Sequence, residues 1–98
     1  MAKEFTHERD ADRYAVHIDG ELAGVLDYSV LGSAMSMRRA YTAPHFRGHG
    51  LAAELVTFAV DDVEANTSYR IVPMCWYVAE WFEKHPERSD LLSRRASA

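Results

Sequence analysis

Ninety-eight residues suffice for one hydrophobic core and not for two, so the length predicts a single domain over 1–98, a monomer or weak dimer, and excludes accessory domains. Apolar residues make up 48% of the chain and aromatic ones 11%, a composition that excludes a disordered segment. The formal charge of −4, with no basic block longer than Arg38-Arg39 or the tail pair Arg94-Arg95, argues against broad nucleic-acid recognition.

From Glu4 to Ala43 the pattern has period two and is punctuated by turn residues, which predicts four short antiparallel strands. Tyr14, Val16 and Ile18 share a face of the second strand, and Asp19-Gly20 supplies the positive-φ pair of a tight hairpin. The third strand runs from Glu21 to Leu31, with Leu22, Leu26, Tyr28 and Val30 on one face and Gly24 as a bulge or close-approach point. A fourth strand follows from Ala34 to Thr42, and Pro44, which brings no ladder N–H, prevents its continuation. Leu51, Leu55, Phe58, Ala59 and Val63 then recur at helical spacing, with Asp61, Asp62 and Glu64 mostly on the wet side, until Asn66-Thr67-Ser68 ends the helix. Tyr69 to Val72 reads as a short inserted strand stopped by Pro73. A second helix from about Trp76 to His85 is ended by Pro86 and contributes Tyr77, Val78, Trp81 and Phe82 to apolar contacts. Asp90-Leu91-Leu92 is expected to pack back, and Ser93–Ala98 to fray.

No run of ~18 apolar residues is available to span a membrane, and Met1–Thr6 lacks the apolar core of a signal peptide, so no membrane association and a cytoplasmic location are expected. Cys75, the only cysteine, excludes an internal disulfide and a cysteine-based zinc site. His7 and His17 alternate with polar neighbours and read as surface residues, so no metal site is expected.

The most informative stretch is Pro44 to Ala52, running straight into the apolar-periodic helix. Two glycines around His49 let the backbone approach an anion closely, and the following helix aims unpaired N–H groups and the positive end of its dipole at the same point. That is a cradle for a pyrophosphate-bearing cofactor. A lone Gly-x-Gly also occurs in ordinary turns; the strand and proline before it, Arg47 at its offset and the helix behind it raise its weight.

In this order of elements and in Arg47-Gly48-His49-Gly50-Leu51-Ala52, the chain resembles the GNAT superfamily of N-acetyltransferases, whose acyl-CoA motif is Arg or Gln, two residues, Gly, one residue, then Gly or Ala. Its brevity, the hairpin Asp19 to Gly24 and the segment Val72 to Val78 followed by His85-Pro86-Glu87 are similar to the small stand-alone acetyltransferase-like proteins of the YjdJ type. The resemblance implies an α+β fold: a mixed, mostly antiparallel sheet, a central helix after the phosphate-cradling turn, and a second C-terminal helix. It implies acetyl-CoA as co-substrate, with no metal. Backbone groups of Tyr41, Thr42 and Ala43 would pair with the pantetheine arm. Those of Gly48, His49, Gly50, Leu51 and Ala52 would receive the pyrophosphate, with Arg47 adding charge.

The pattern departs from many family members at the last helix, where an Asn and, seven residues on, a Tyr acting as general acid are replaced by Cys75 and Phe82. Phenylalanine has no proton to give. Tyr77 lies five residues before Phe82, about 140° around a helix, and needs a different route to the sulfur. Cys75 is then either the catalytic acid or acyl acceptor, or an inert small hydrophobe, and a third course is direct amine attack supported by proximity alone. His45 and His49 are weak candidates for bases.

The expected function is transfer of an acetyl group from acetyl-CoA to a primary amine on a small molecule or a protein lysine. Only Asp10-Ala11-Asp12 stands between the first two strands, so the acceptor site is expected to be open. The alternatives are a non-catalytic acyl-CoA-binding or partner-docking module, favoured by Phe82, and an interaction module without cofactor, in which the glycines serve only a turn.

Overall fold

The alternating segments become β1 (Lys3–Glu8), β2 (Arg13–Ile18), β3 (Glu21–Leu31) and β4 (Ala34–Thr42) in a computed structural model that describes residues 2–94. They are followed by α1 (Leu51–Asn66), β5 (Arg70–Pro73) and α2 (Trp76–Lys84), with short 3-10 turns at Arg9–Ala11, Pro44–Phe46 and Pro86–Leu92. The five strands form one sheet in chain order. Every pairing is antiparallel except that of β4 with β5, which are joined across α1. The fold is the expected α+β architecture. Among the described residues, no helix is long and apolar enough to cross a membrane.

Two register shifts shape the sheet. Between β2 and β3, Val16 faces Gly24 while His17 faces Leu22, so Ala23 is the extra residue. The slip turns Ala23 into the interior and leaves Leu22 38% exposed, which separates Leu22 from the face it was predicted to share with Leu26 and Tyr28. Val30, predicted on that face too, lies at the exposed end of the strand. Gly24 is a close-approach point: a Cβ there would sit 3.0 Å from the Tyr41 carbonyl oxygen. Between β3 and β4, Asp27 faces Arg39 but Tyr28 faces Met37, so Arg38 is the second extra residue.

Tyr14, Val16, Leu26, Met35 and Met37 of the sheet meet Leu51, Leu55, Val56, Ala59, Val60 and Val63 of α1 and Val78, Trp81 and Phe82 of α2 in one core. Phe58 is only partly buried and stacks on Phe5 with ring centroids 5.5 Å apart; Val56 and Val60 carry the inner face with the predicted leucines. Leu91 packs back as expected. Of the segment 93–98, expected to fray, the first two residues make hydrogen bonds. The Ser93 N–H donates to Asp90 O at 3.2 Å, and the Arg94 guanidinium donates to Val63 O (3.2 Å) and Glu64 O (3.4 Å), carbonyls near the end of α1. Residues 95–98 lie outside the described residues.

His7, Tyr14, Tyr28 and Asp62 form a polar cluster between the sheet and α1, correcting two surface assignments. His7 and His17 are half-buried, and Asp62 is turned toward the sheet. Tyr14 donates its hydroxyl to Asp62 Oδ2 at 2.7 Å, Asn66 donates to Asp62 Oδ1 at 2.8 Å, and His7 Nε2 and the Tyr28 hydroxyl share a hydrogen bond of 2.6 Å. His7 Nδ1 stands 3.3 Å from Asp62 Oδ2 but off the line that a hydrogen bond requires, so the two form an ion pair only when His7 is protonated. Burial by itself raises the Asp62 carboxyl, yet the bonds from Tyr14 and Asn66 and the charges of His7 and Arg9 outweigh it and hold the group below its ordinary value. Burial lowers His7, with Asp62 opposing and Arg9 assisting. Burial and the bond to Asp62 push Tyr14 far upward.

The unfolded chain takes up a proton on His7 near pH 6.5, where the folded protein resists it, so stability falls as the pH drops from about 6.5 through the folded value. Asp62 adds a further loss below about pH 4, where the unfolded chain's carboxylate takes up a proton that the folded one resists. Thermal melts of the wild type are expected to lose Tm between pH 7 and 5, and His7→Gln to flatten that slope. An equal slope in the variant would remove His7 as its source.

Candidate active site

The site begins where β4 and β5 part. Their parallel pairing runs only from Ala34–Arg70 to Met37–Pro73. Pro73 carries no N–H to continue the ladder. The Met74 N–H folds back onto Val72 O at 3.0 Å, a γ-turn centred on the proline, and the Cys75 N–H makes the last bond across the gap, to Met37 O at 3.0 Å. Beyond it β4 continues from Arg38 to Thr42 without a neighbour on that side.

Of the three residues predicted to offer free backbone there, Ala43 is corrected: its N–H is committed to Ala23 O at 2.8 Å. Antiparallel alternation then turns the groups of Tyr41 toward β3 as well, and those of Ala40 and Thr42 toward the open side. The Thr42 carbonyl accepts a hydrogen bond from Arg47 Nε at 3.0 Å. Arg47 thereby ties the end of β4 to the turn, a positional role added to the charge predicted for it.

The turn itself runs from Gly48 to the start of α1. Gly48 and Gly50 hold φ of +85° and +74°, and Gly50 is the N-cap residue of the helix. A glycine cap has no side-chain oxygen to satisfy the first-turn amides, as Ser, Thr or Asp would. The one acidic residue of the first turn, Glu54, is drawn away by Lys3, whose Nζ lies 2.9 Å from Oε1. Among the described residues, no acceptor takes the N–H of Gly48, His49, Gly50, Leu51, Ala52 or Ala53, and the first helical bond is Glu54 N–H to Gly50 O at 3.2 Å. These amides converge at the positive end of the α1 dipole.

Two adjoining hollows connect the turn with Cys75. One, of about 210 Å³, is lined by Gly48, Gly50, Leu51, Phe46 and their neighbours; the other, of about 280 Å³, by Ala40, Tyr41, Cys75 and Trp76; Thr42, Arg47, Ala52 and Tyr77 border both. Larger hollows lie along the α1–α2 groove, beside the Arg9–Ala11 turn and around Tyr28 and Tyr69, but none of them is lined by Gly48, Gly50 or Cys75.

Cys75 is half-buried and is the N-cap residue of α2. His45 and His49 are exposed and line neither hollow. Phe82 faces the core, 4% exposed and edge-on to Trp81. Tyr77 replaces it as the hydroxyl-bearing residue of α2 at the slot. The helical angle between the two residues was legible in the sequence; which of them faced the slot was not.

This arrangement, an amide-lined turn opening into the split between two parallel strands, is that of an N-acetyltransferase fold. A family model described as GCN5-related N-acetyl-transferase matches residues 13–91, and the chain belongs to that family. Among solved structures it is similar to a ribosomal-protein-alanine N-acetyltransferase from Brucella melitensis biovar Abortus 2308, with a TM-score of 0.58 and 19% identity, over 94% of this chain and 68% of that one. No curated protein matches the chain. Family membership supports acyl transfer as the general activity.

Neither Gly48 nor Gly50 has an atom within 4 Å of an added Cβ, so substitution there strains the backbone without a clash. Gly50→Ala is expected to cost about 1–2 kcal/mol, a fall in Tm of roughly 5–15 °C for a domain of this size. An unchanged urea or thermal midpoint would mean that the turn does not require the left-handed conformation.

Proposed function

We propose that the protein is an N-acetyltransferase that takes its acetyl group from acetyl-CoA and delivers it to a primary amine at an open acceptor site. The observation that carries this reading is the row of amides from Gly48 to Ala53 without an acceptor among the described residues, at the mouth of a slot that ends at Cys75. Such donors suit a diphosphate. Ala52 is small enough to leave the approach clear, and Arg47 adds a positive charge. The outward groups of Ala40 and Thr42 offer strand-like partners to an amide-bearing arm.

The co-substrate supplies an acyl group activated as a thioester. The slot holds the amine nitrogen against its carbonyl carbon, so that the C–N bond forms as the C–S bond breaks. The thiol of Cys75 holds the proton that the departing sulfur needs and regains one from solvent, while the proton of the amine leaves to water. Tyr77, which borders both hollows, carries a hydroxyl suited to the same role. The turn between β1 and β2 is only a single 3-10 segment, Arg9–Ala11, in keeping with an uncovered acceptor side.

Acetyl-CoA at a hundred times its Kd is expected to stabilise the protein by about 2.7 kcal/mol, read as a rise in Tm. Gly50→Trp is expected to abolish the rise. Cys75→Ala should keep it and reduce transfer to a pool of amines followed by mass spectrometry. Equal transfer by wild type and Cys75→Ala would reduce the thiol to packing. Binding without any product would favour a non-catalytic acyl-CoA-binding or docking module, and no shift at millimolar ligand would exclude the cofactor.

A further inference from the structure

Met74 and Trp76 flank Cys75 in sequence and are 64% and 73% exposed, a pair of large apolar side chains left in water at the site. The hollow beside Cys75 is lined by the side chains of Tyr41, Trp76 and Tyr77 together with Arg47, and no carboxylate borders it. Of the carboxylates on β3 and α2, Asp27 and Glu80 are engaged, whereas Glu21 and Glu83 are exposed and line no part of this hollow. Asp27 pairs with Arg39 at 3.1 Å, and Glu80 with Lys84 at 3.2 Å. Arg39 also lies over the Tyr41 ring, 5.3 Å from its centroid. Arg38 differs from all of these. It is the extra residue of the β4 bulge, directly after the carbonyl that receives the Cys75 N–H, and it is exposed without an ion-pair partner among the described residues.

A polyamine entering this slot meets Arg47 and finds no anion in the lining for its additional ammonium groups. A lysine in an acidic segment meets the reverse: apolar surface for its four-carbon stem and a free guanidinium for its neighbours. Resting on the acetyl-transfer reading above, we propose that the acceptor is a lysine side chain flanked by acidic residues in a protein or peptide. The stem lies along Trp76 and Met74, the flanking carboxylates meet Arg38, and the nitrogen enters between Tyr77 and Cys75. The same lining favours the reactive form of the nucleophile. Without a carboxylate to hold an ammonium, and with Arg47 close, entry into the slot favours the neutral amine, and the site needs no dedicated base.

The test titrates the CoA-loaded protein calorimetrically with two short peptides, identical but for glutamates or arginines beside a central lysine, and with spermidine. The emission of Trp76 is followed in parallel, because the other indole, Trp81, is only 4% exposed. The acidic peptide is expected to bind roughly tenfold more tightly than the basic one. Arg38→Glu should reverse that ranking while leaving the rise in Tm with acetyl-CoA intact. Trp76→Ala should weaken both peptides roughly tenfold. Tighter binding of the basic peptide or of spermidine, or a ranking unmoved by Arg38→Glu, overturns the proposal while the transfer reading stands. A wild type whose Tm ignores acetyl-CoA overturns the reading itself.

Discussion

The structure depends on β4 having two different neighbours along its length. Its first half is bonded on both sides, to β3 and to β5, and its second half to β3 alone. A strand edge inside a small domain is normally covered or paired, because unpaired backbone groups removed from water are costly. Here the edge is held open by local chemistry: a proline that cannot extend the ladder, a γ-turn that redirects the chain, and a bulge at Arg38 that changes the course of β4. The last bond, from Cys75 to Met37, puts the thiol at the point where the strands separate.

Helix α1 serves the core and the site with different parts of the same element. Its inner face of Leu51, Leu55, Val56, Ala59, Val60 and Val63 anchors it to the sheet. Its two ends are treated oppositely. At the C-terminus the carbonyls of Val63 and Glu64 receive the Arg94 guanidinium, and Val63 O also accepts the Thr67 N–H and hydroxyl. At the N-terminus glycine takes the capping position and the amides stay unsatisfied. Between the ends, Asp62 receives the Tyr14 hydroxyl and joins the helix flank to β2 through a charge-assisted bond. A helix secured in this way can hold its first turn in fixed geometry, which an anion site made of backbone groups requires.

The sheet carries a second electrostatic device away from that helix. Glu8, Arg13, Asp27 and Arg39 stand in register across four strands, with Arg13 bonded to Glu8 at 2.6 Å and Arg39 to Asp27 at 3.1 Å. Alternating signs along a cross-strand row fix register at small cost, since a one-residue slip would misalign the charges. The row also accounts for the isolation of Arg38, which the bulge takes out of register.

Much of this was legible in the sequence because it is local. Period-two alternation, the Asp19-Gly20 turn, Pro44 and the glycine pair before an amphipathic run specify strands, hairpin, cradle and helix from contacts a few residues apart. The bulge beside Gly24 was visible only as a glycine in a strand; its position at Ala23, and the consequent exposure of Leu22, follow from how two strands register against each other. Composition and motif likewise indicated the family, but not that Tyr77 would border the slot while Phe82 turned into the core, nor that Ala43 would be spent on Ala23 and Arg47 on Thr42. The cluster of His7, Tyr14, Tyr28 and Asp62 joins residues from three strands and a helix, so no periodicity announces it. The sequence alone determined which backbone segments have their conformation dictated by proline, glycine and hydrophobic spacing; only the tertiary structure decided which donors and acceptors are consumed within the protein, because hydrogen-bond partners and burial are properties of segments brought together.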